Sequence, residues 1–286
     1  MIFHEWCLVS LFIFNPKLNF FLQAMKKIFL IGLFLASFFG VSAQKIASFS
    51  KHFKEANVEG GFFLYDFNKK IYTITDKTDF ERTTSPASTF KIPNSMIALE
   101  LGVIKDENEV IKWDGEKRWL EAWNADHNLK DAYKNSTVWF YQELARRIGE
   151  KNYKTYLKAC DYGNQDINGG LTQFWLGSSL KISPKNQLEF LRKLHEEKLP
   201  FSKRTYEITK RIMVREQTND YTLRAKTGLA TVNQTDIGWF VGYVEKKDNV
   251  YFFALRIQKP ENKEMPEFAP KRIELTKNIL MQMGIL

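Results

Sequence analysis

Cysteine is nearly missing from this chain: 286 residues hold two, Cys7 and Cys160. With Cys7 in a leader that is removed, Cys160 stands alone and no intramolecular disulfide is available. Histidine is scarce too, and neither a His-x-x-x-His spacing nor paired cysteines appear, so the sequence carries no metal-ligand pattern. His127 and His195 read as surface or locally satisfied residues, since nothing places an acid beside them to build a histidine triad. There is no internal repeat, no low-complexity linker and no block of one charge. The formal net charge is +9, but acids interrupt the bases, as in Glu116-Lys117-Arg118 and Lys246-Lys247-Asp248. That balance describes a solvated surface with some pull on anionic small molecules. Nucleic acid is not an expected partner, because no recognition motif accompanies the charge.

Long apolar runs are confined to the start. Met25-Lys26-Lys27 is a charged opening, Ile28 to Phe39 an apolar core, and Val41-Ser42-Ala43 a small-residue site before Gln44. This reads as a secretory signal peptide over 25–43, and hence as an exported, periplasmic protein without stable membrane insertion after cleavage. Residues 1–24, interrupted by His4, Glu5, Asn15, Pro16 and Lys17, read as an upstream start extension, with a short membrane anchor as the other reading. No cysteine follows closely to take a lipid. Lys17, Lys26 and Lys27 against Glu5 account for +2 of the +9, leaving +7 on the 243 residues from Gln44 to Leu286. That length supports one compact unit or two closely packed subdomains; the sequence leaves the oligomeric state open.

Ile46, Phe49 and Phe53 predict a short helix over 44–56, and Gly61 to Asp66 with Ile71 to Thr75 a hairpin. From Ser85-Pro86 a helix carries Phe90, Met96, Ile97, Leu99 and Leu101 as far as Gly102, with Pro93 making its first turn irregular. A loop-rich stretch with Trp113, Trp119, Trp123 and His127 follows. Helices are then expected after Asn135-Ser136 (Val138, Tyr141, Leu144, Ile148), around Tyr153 to Leu157, after Ser183-Pro184 and over 203–214. Tyr221 to Lys226, Ile237 to Glu245 and Val250 to Gln258 read as strands in meander order, and Pro270 to Met283 as a closing helix. The fold class is therefore α+β. An antiparallel sheet (about 44–84 and 215–286) is flanked by terminal helices and carries an inserted all-helical subdomain (about 85–214).

Chemistry is concentrated at Ser88-Thr89-Phe90-Lys91. Serine and lysine three apart share a helix face, a lysine is the nearest base that can activate the hydroxyl, and a helix start favours a developing oxyanion. A serine there is also an ordinary N-cap, and Ser-x-x-Lys recurs at Ser42, Ser48 and Ser178. Support comes from Lys226-Thr227-Gly228, which ends an expected strand, and from Ser136-Thr137-Val138, which opens an expected helix. Lys-Thr-Gly occurs once, against roughly a tenth of an occurrence expected from average residue usage.

These three motifs, in this order and on these elements, resemble those of the serine β-lactamase and penicillin-binding-protein superfamily. Ser136-x-Val138, Phe90 before Lys91, Tyr162-Gly163-Asn164, Trp175-Leu176, Lys112 to Gly115 and the run Gly238 to Glu245 narrow the resemblance to the class D, oxacillinase-type β-lactamases, over nearly the whole chain from about Phe49. The resemblance implies hydrolysis of a small-molecule β-lactam through an acyl-Ser88 intermediate, and a role in antibiotic resistance. It implies Ser88, Lys91, Ser136 and Lys226 as catalytic residues and no cofactor beyond carbon dioxide or bicarbonate. Lys91 would be an N6-carboxylysine in surroundings made by Phe90, Val138, Trp175 and Leu176. The backbone N–H groups of Ser88 and Leu229 would form the oxyanion hole, and Tyr141, Thr227, Gly228 and Arg272 would bind substrate. Leu229 departs from the aromatic residue often found after Lys-Thr-Gly. Read from the residues alone, Trp175 serves equally as core, Ser136 as a helix cap, Tyr162 as loop packing and Arg272 as a surface ion-pair partner. A β-lactam sensor domain, or a slowly deacylating cell-wall transpeptidase or carboxypeptidase, shares the motifs; the sensor's several transmembrane helices and zinc-protease segment are not in this chain.

Overall fold

A computed structural model describes residues 43–260 and 262–286. The expected upstream extension and, except for Ala43, the signal peptide lie outside the described residues. Seven strands form one sheet in the order β1-β3-β2-β9-β8-β7-β6: β1 Ala43–Ile46, β2 Glu59–Asp66, β3 Ile71–Ile74, β6 Val214–Gln217, β7 Tyr221–Val232, β8 Thr235–Lys246 and β9 Asn249–Pro260. β4 Val110–Ile111 and β5 His127–Asn128 make a separate two-stranded ribbon. All pairings in the large sheet are antiparallel except β1 with β3. The early strand β2 meets the last strand β9 directly, Glu59 opposite Gln258.

Strand alternation sorts side chains to two faces. On one, Phe62, Leu64, Leu223, Ala225, Phe240, Val244, Phe253 and Leu255 pack under helix α1 (Ser50–Glu55) and the closing helix α9 (Phe268–Gln282). On the other, Trp239, Val241, Tyr243, Phe252 and Ala254 join the larger core of the helical layer. That layer comprises α2 (Lys77–Glu81), α3 (Lys91–Glu100), α4 (Leu129–Asn135), α5 (Val138–Ile148), α6 (Glu150–Cys160), α7 (Pro184–His195) and α8 (Lys203–Ile212).

Local signals explain most boundaries. Ser183 caps α7 by accepting the N–H of Asn186 at 3.1 Å, with Pro184 at the first helical position. Gly102, at φ +66°, ends α3, its N–H reaching Leu99 and the next reaching Ala98, the double bond of a Schellman turn. The expected irregularity before Pro93 is a 3₁₀ turn, Ala87–Phe90, leading into α3. Three expectations need correction. The helix predicted over 44–56 is a strand followed by a six-residue helix, because Ala43 to Ile46 find backbone partners in Ile71 to Ile74 and Ile46 stays 63% exposed. The loop before Ser136 contains α4, capped by the Asn128 side chain, which accepts the N–H of Asp131. The helix over 203–214 stops at Ile212, and the edge strand β6 begins at Val214.

Candidate active site

The 3₁₀ turn holds Ser88 half-buried among buried neighbours, and Ala87 before it has φ +48°, a left-handed conformation that costs a non-glycine residue free energy. Such strain is held by its surroundings. The Pro86 carbonyl accepts the N–H and the hydroxyl of Thr89, at 3.1 and 2.7 Å. The Ser85 hydroxyl accepts the N–H groups of Ala87 (3.2 Å) and Gly177 (2.9 Å) and donates to the Trp175 carbonyl at 2.8 Å. The Trp239 indole N–H closes the set on the Ser85 carbonyl at 2.9 Å. One fully buried serine thus ties the nucleophile turn to the loop that carries Trp175.

Lys91 is fully buried, and its Nζ donates to Ser88 Oγ at 3.0 Å. Burial with no acid beside it pushes its pKa down to about 7, so near neutrality a substantial share is the free amine, the form that can take a proton. Beneath it the Tyr141 ring lies 4.9 Å from Nζ, and the Tyr141 hydroxyl bonds to Ser95 at 2.9 Å. Tyr141, expected among the substrate-binding residues, is fully buried and lies beneath the lysine. Phe90 stacks on Trp175 with ring centroids 5.5 Å apart, both fully buried. The Trp175 indole N–H is buried without a partner among the described residues, a costly state for a donor unless a further group comes to meet it. Leu176 packs against the same core, and Val138 is half-buried at the start of α5.

As expected, a helix, α5, follows Asn135-Ser136. Ser136 is the left-handed cap that ends α4, at φ +54°, while Thr137 starts α5. That tight junction aims the Ser136 hydroxyl at Lys226 Nζ, with which it is hydrogen-bonded. Lys226 is 3% exposed and donates also to the Thr227 carbonyl at 3.0 Å. Its pKa is held well below the ordinary lysine value, first by burial and then by the charges of Lys91, Arg272 and Arg215. The charge of Lys91 is felt at Lys226, which brings the two motifs into one site.

β6 pairs with β7 only as far as Val214 opposite Arg224. Beyond that point β7 packs on the nucleophile turn, and Gly228 is required there. A Cβ would stand 3.0 Å from the Pro86 carbonyl oxygen and 3.2 Å from Thr89 Cγ2. Thr227 is half-buried and Leu229 is 47% exposed. From α9, Arg272 donates through Nη1 to the Gly228 carbonyl and through Nε to the Ala269 carbonyl. It makes no ion pair among the described residues, and burial with the nearby Arg215 lowers its pKa to about 10. On the α4 side, the Trp123 indole donates to the Asn135 carbonyl at 3.0 Å, and the 85% exposed Trp119 meets Trp123 edge-on at 5.6 Å.

A cavity of about 550 Å³ opens elsewhere, between the β4 loop and α5. Its charges are paired among the described residues, Arg118 with Asp114 and Glu116, Arg146 and Arg147 with Glu143, and Lys112 with Asp126. His127 bonds to the Ala122 carbonyl at 3.0 Å, as expected of a satisfied residue, whereas His195 lies beside Glu245 with Nδ1 unpartnered. No metal-holding cluster of acids, histidines and cysteines occurs among the described residues. Sequence reasoning read Ser85 only as the start of a helix; its partners, Ala87, Gly177 and Trp175, are brought to it by the fold and leave no local signal.

The profile of the penicillin-binding-protein transpeptidase domain matches residues 56–280. The β-lactamase OXA-48 of Klebsiella pneumoniae is 43% identical over 268 residues, covering 92% of this chain and 98% of that protein. The chain belongs to the class D serine β-lactamases. The crystal structure of a class D β-lactamase from Sebaldella termitidis is 44% identical and superposes with a TM-score of 0.83, covering 86% of this chain and 99% of that one. The C-terminal domain of the Bacillus licheniformis BlaR penicillin receptor shares the class D architecture, at 34% identity and a TM-score of 0.82 over 87% of this chain and all of that domain.

Proposed function

We propose that this enzyme hydrolyses the amide bond of penicillin-type β-lactams through an acyl-Ser88 intermediate. The reading is carried by one observation, a fully buried lysine without a counter-ion whose Nζ sits 3.0 Å from Ser88 Oγ. Ser88 Oγ attacks the lactam carbonyl carbon as its proton passes to the Lys91 position, and the carbon–nitrogen bond of the ring breaks. Ser136, bonded to Lys226, passes a proton to the departing nitrogen. Water then attacks the ester and frees Ser88. The N–H groups of Ser88 and Leu229 are the proposed oxyanion hole, and Thr227 with the unpaired Arg272 receives the substrate carboxylate.

The pocket suits a carboxylated Lys91. A neutral amine is the form that adds carbon dioxide, and the orphaned Trp175 N–H is a donor ready for an added oxygen. Bound there, carbon dioxide would supply a carboxylate base. Residues 25–43 direct export, with Gln44 as the first residue of the mature periplasmic protein, and drug hydrolysis there supports antibiotic resistance. The test is a progress curve with benzylpenicillin in large excess and bicarbonate present. Many turnovers are expected, with none from Ser88→Ala and a trapped acyl-enzyme from Lys91→Ala by intact mass. A single burst equal to the enzyme concentration would instead assign the chain to the sensor or cell-wall class.

A further inference from the structure

Lys226 and Arg272 share a charged neighbour that the mechanism has not used. β6 and β7 are in register at Val214 opposite Arg224 and again at Glu216 opposite Leu223, which leaves Arg215 as the extra residue of a β-bulge. A bulge breaks the two-residue alternation and re-aims the side chain it carries. Arg215 is exposed on the edge strand of the sheet and has no hydrogen bond or ion pair among the described residues. Other arginines close by are matched, Arg211 with Glu107 and Arg224 with Glu245, and the adjacent Glu216 is occupied by Lys277 and the Tyr221 hydroxyl. The charge of Arg215 acts on Lys226, on Arg272 and on Tyr133, and no carboxylate offsets it at either cation. Three like charges gathered without an acid repel one another, an arrangement that becomes favourable when an anion arrives.

We infer that Arg215 is a specificity determinant for anionic substrates, a further cation set by the β6 bulge beside β7, the strand whose Thr227 receives the substrate carboxylate together with Arg272. The inference rests on the hydrolytic reading above. Arg215 attracts from a distance, so it acts on capture of the substrate and leaves the bond-breaking geometry alone. A unit charge acting across partly solvated protein changes capture by about three- to tenfold at low salt, and less as salt screens it.

The experiment measures kcat and KM for benzylpenicillin and acylation of Ser88 by its uncharged methyl ester, at low and high ionic strength. The variants are Arg215→Gln, Arg215→Glu, Arg215→Lys and, as a control for total charge, Lys154→Gln on α6. The expected result is a KM for benzylpenicillin raised about three- to tenfold by Arg215→Gln and more by Arg215→Glu. kcat stays unchanged, high salt shrinks the difference, Arg215→Lys restores the wild-type KM, and acylation by the ester is unaffected. An effect equal on acid and ester, or no larger than that of Lys154→Gln, overturns the inference while the wild-type enzyme still turns over. Absence of turnover in the wild type would instead remove the hydrolytic reading on which it stands.

Discussion

Taking an ammonium ion out of water with no carboxylate beside it is among the more costly things a side chain can do, and Lys91 avoids much of that cost by giving up its proton. The sign of the pH response follows. With a folded pKa near 7 against an ordinary 10.5, the unfolded chain holds more protons between those values, so this group makes stability climb as pH rises through that window. Below about 7 it adds no further change. Denaturant midpoints across the window should rise in the wild type and rise less in Lys91→Met. Activity should fall as pH drops through about 7, because the amine is then protonated. For Trp175→Phe, ring packing on Phe90 is kept and the orphan N–H is lost. A hydrogen bond to a charged group is worth about 1.5–3 kcal/mol, so the bicarbonate needed for half-activity should rise roughly tenfold or more. The same requirement as in the wild type, with an unchanged carbon-13 carbamate signal, would remove Trp175 from that role.

Among the elements, β7 has little slack beside the nucleophile, because Gly228 lies against a Pro86 carbonyl that Thr89 holds with two hydrogen bonds. Gly228→Ala should push β7 off the nucleophile turn and lower kcat roughly a hundredfold, as sub-ångström to ångström misplacement does, while the melting temperature falls by a few degrees. A variant equally active would mean that β7 has more slack than its contacts indicate. Legibility in the sequence follows how local each signal is. Ser183-Pro184, Gly102 and the alternating runs of β8 and β9 announce themselves within a few residues, and so do the Ser88, Ser136 and Lys226 motifs. β1 does not, because its partner Ile71 to Ile74 is supplied by a distant hairpin. The cap signal of the seven-residue α4 is hidden after a stretch of tryptophans and charges. The left-handed geometry of Ser136 and the three-way bonding of Ser85 depend on contacts that spacing cannot encode, and the fully buried position of Tyr141 is a property of the packed core.

At the scale of the molecule, the sheet divides two apolar cores and joins the two ends of the described chain. Ending the chain at Lys247 would remove β9 and α9, split the sheet between β2 and β8, and open both cores to water. Such a chain should show no cooperative unfolding transition and no amide protection in β2, in contrast to the full chain; a protected β2 would show that the first hairpin and the helical layer are stable by themselves. The pairing of Glu59 with Gln258 also sets a timetable. A nascent chain has made its hairpin and the whole helical layer, α2 to α8, before the strand that belongs between β2 and β8 is synthesised, and contacts so far apart in sequence form slowly. The early hairpin therefore waits for its central partner, and the seven strands become one sheet only when β9 has paired with both β2 and β8.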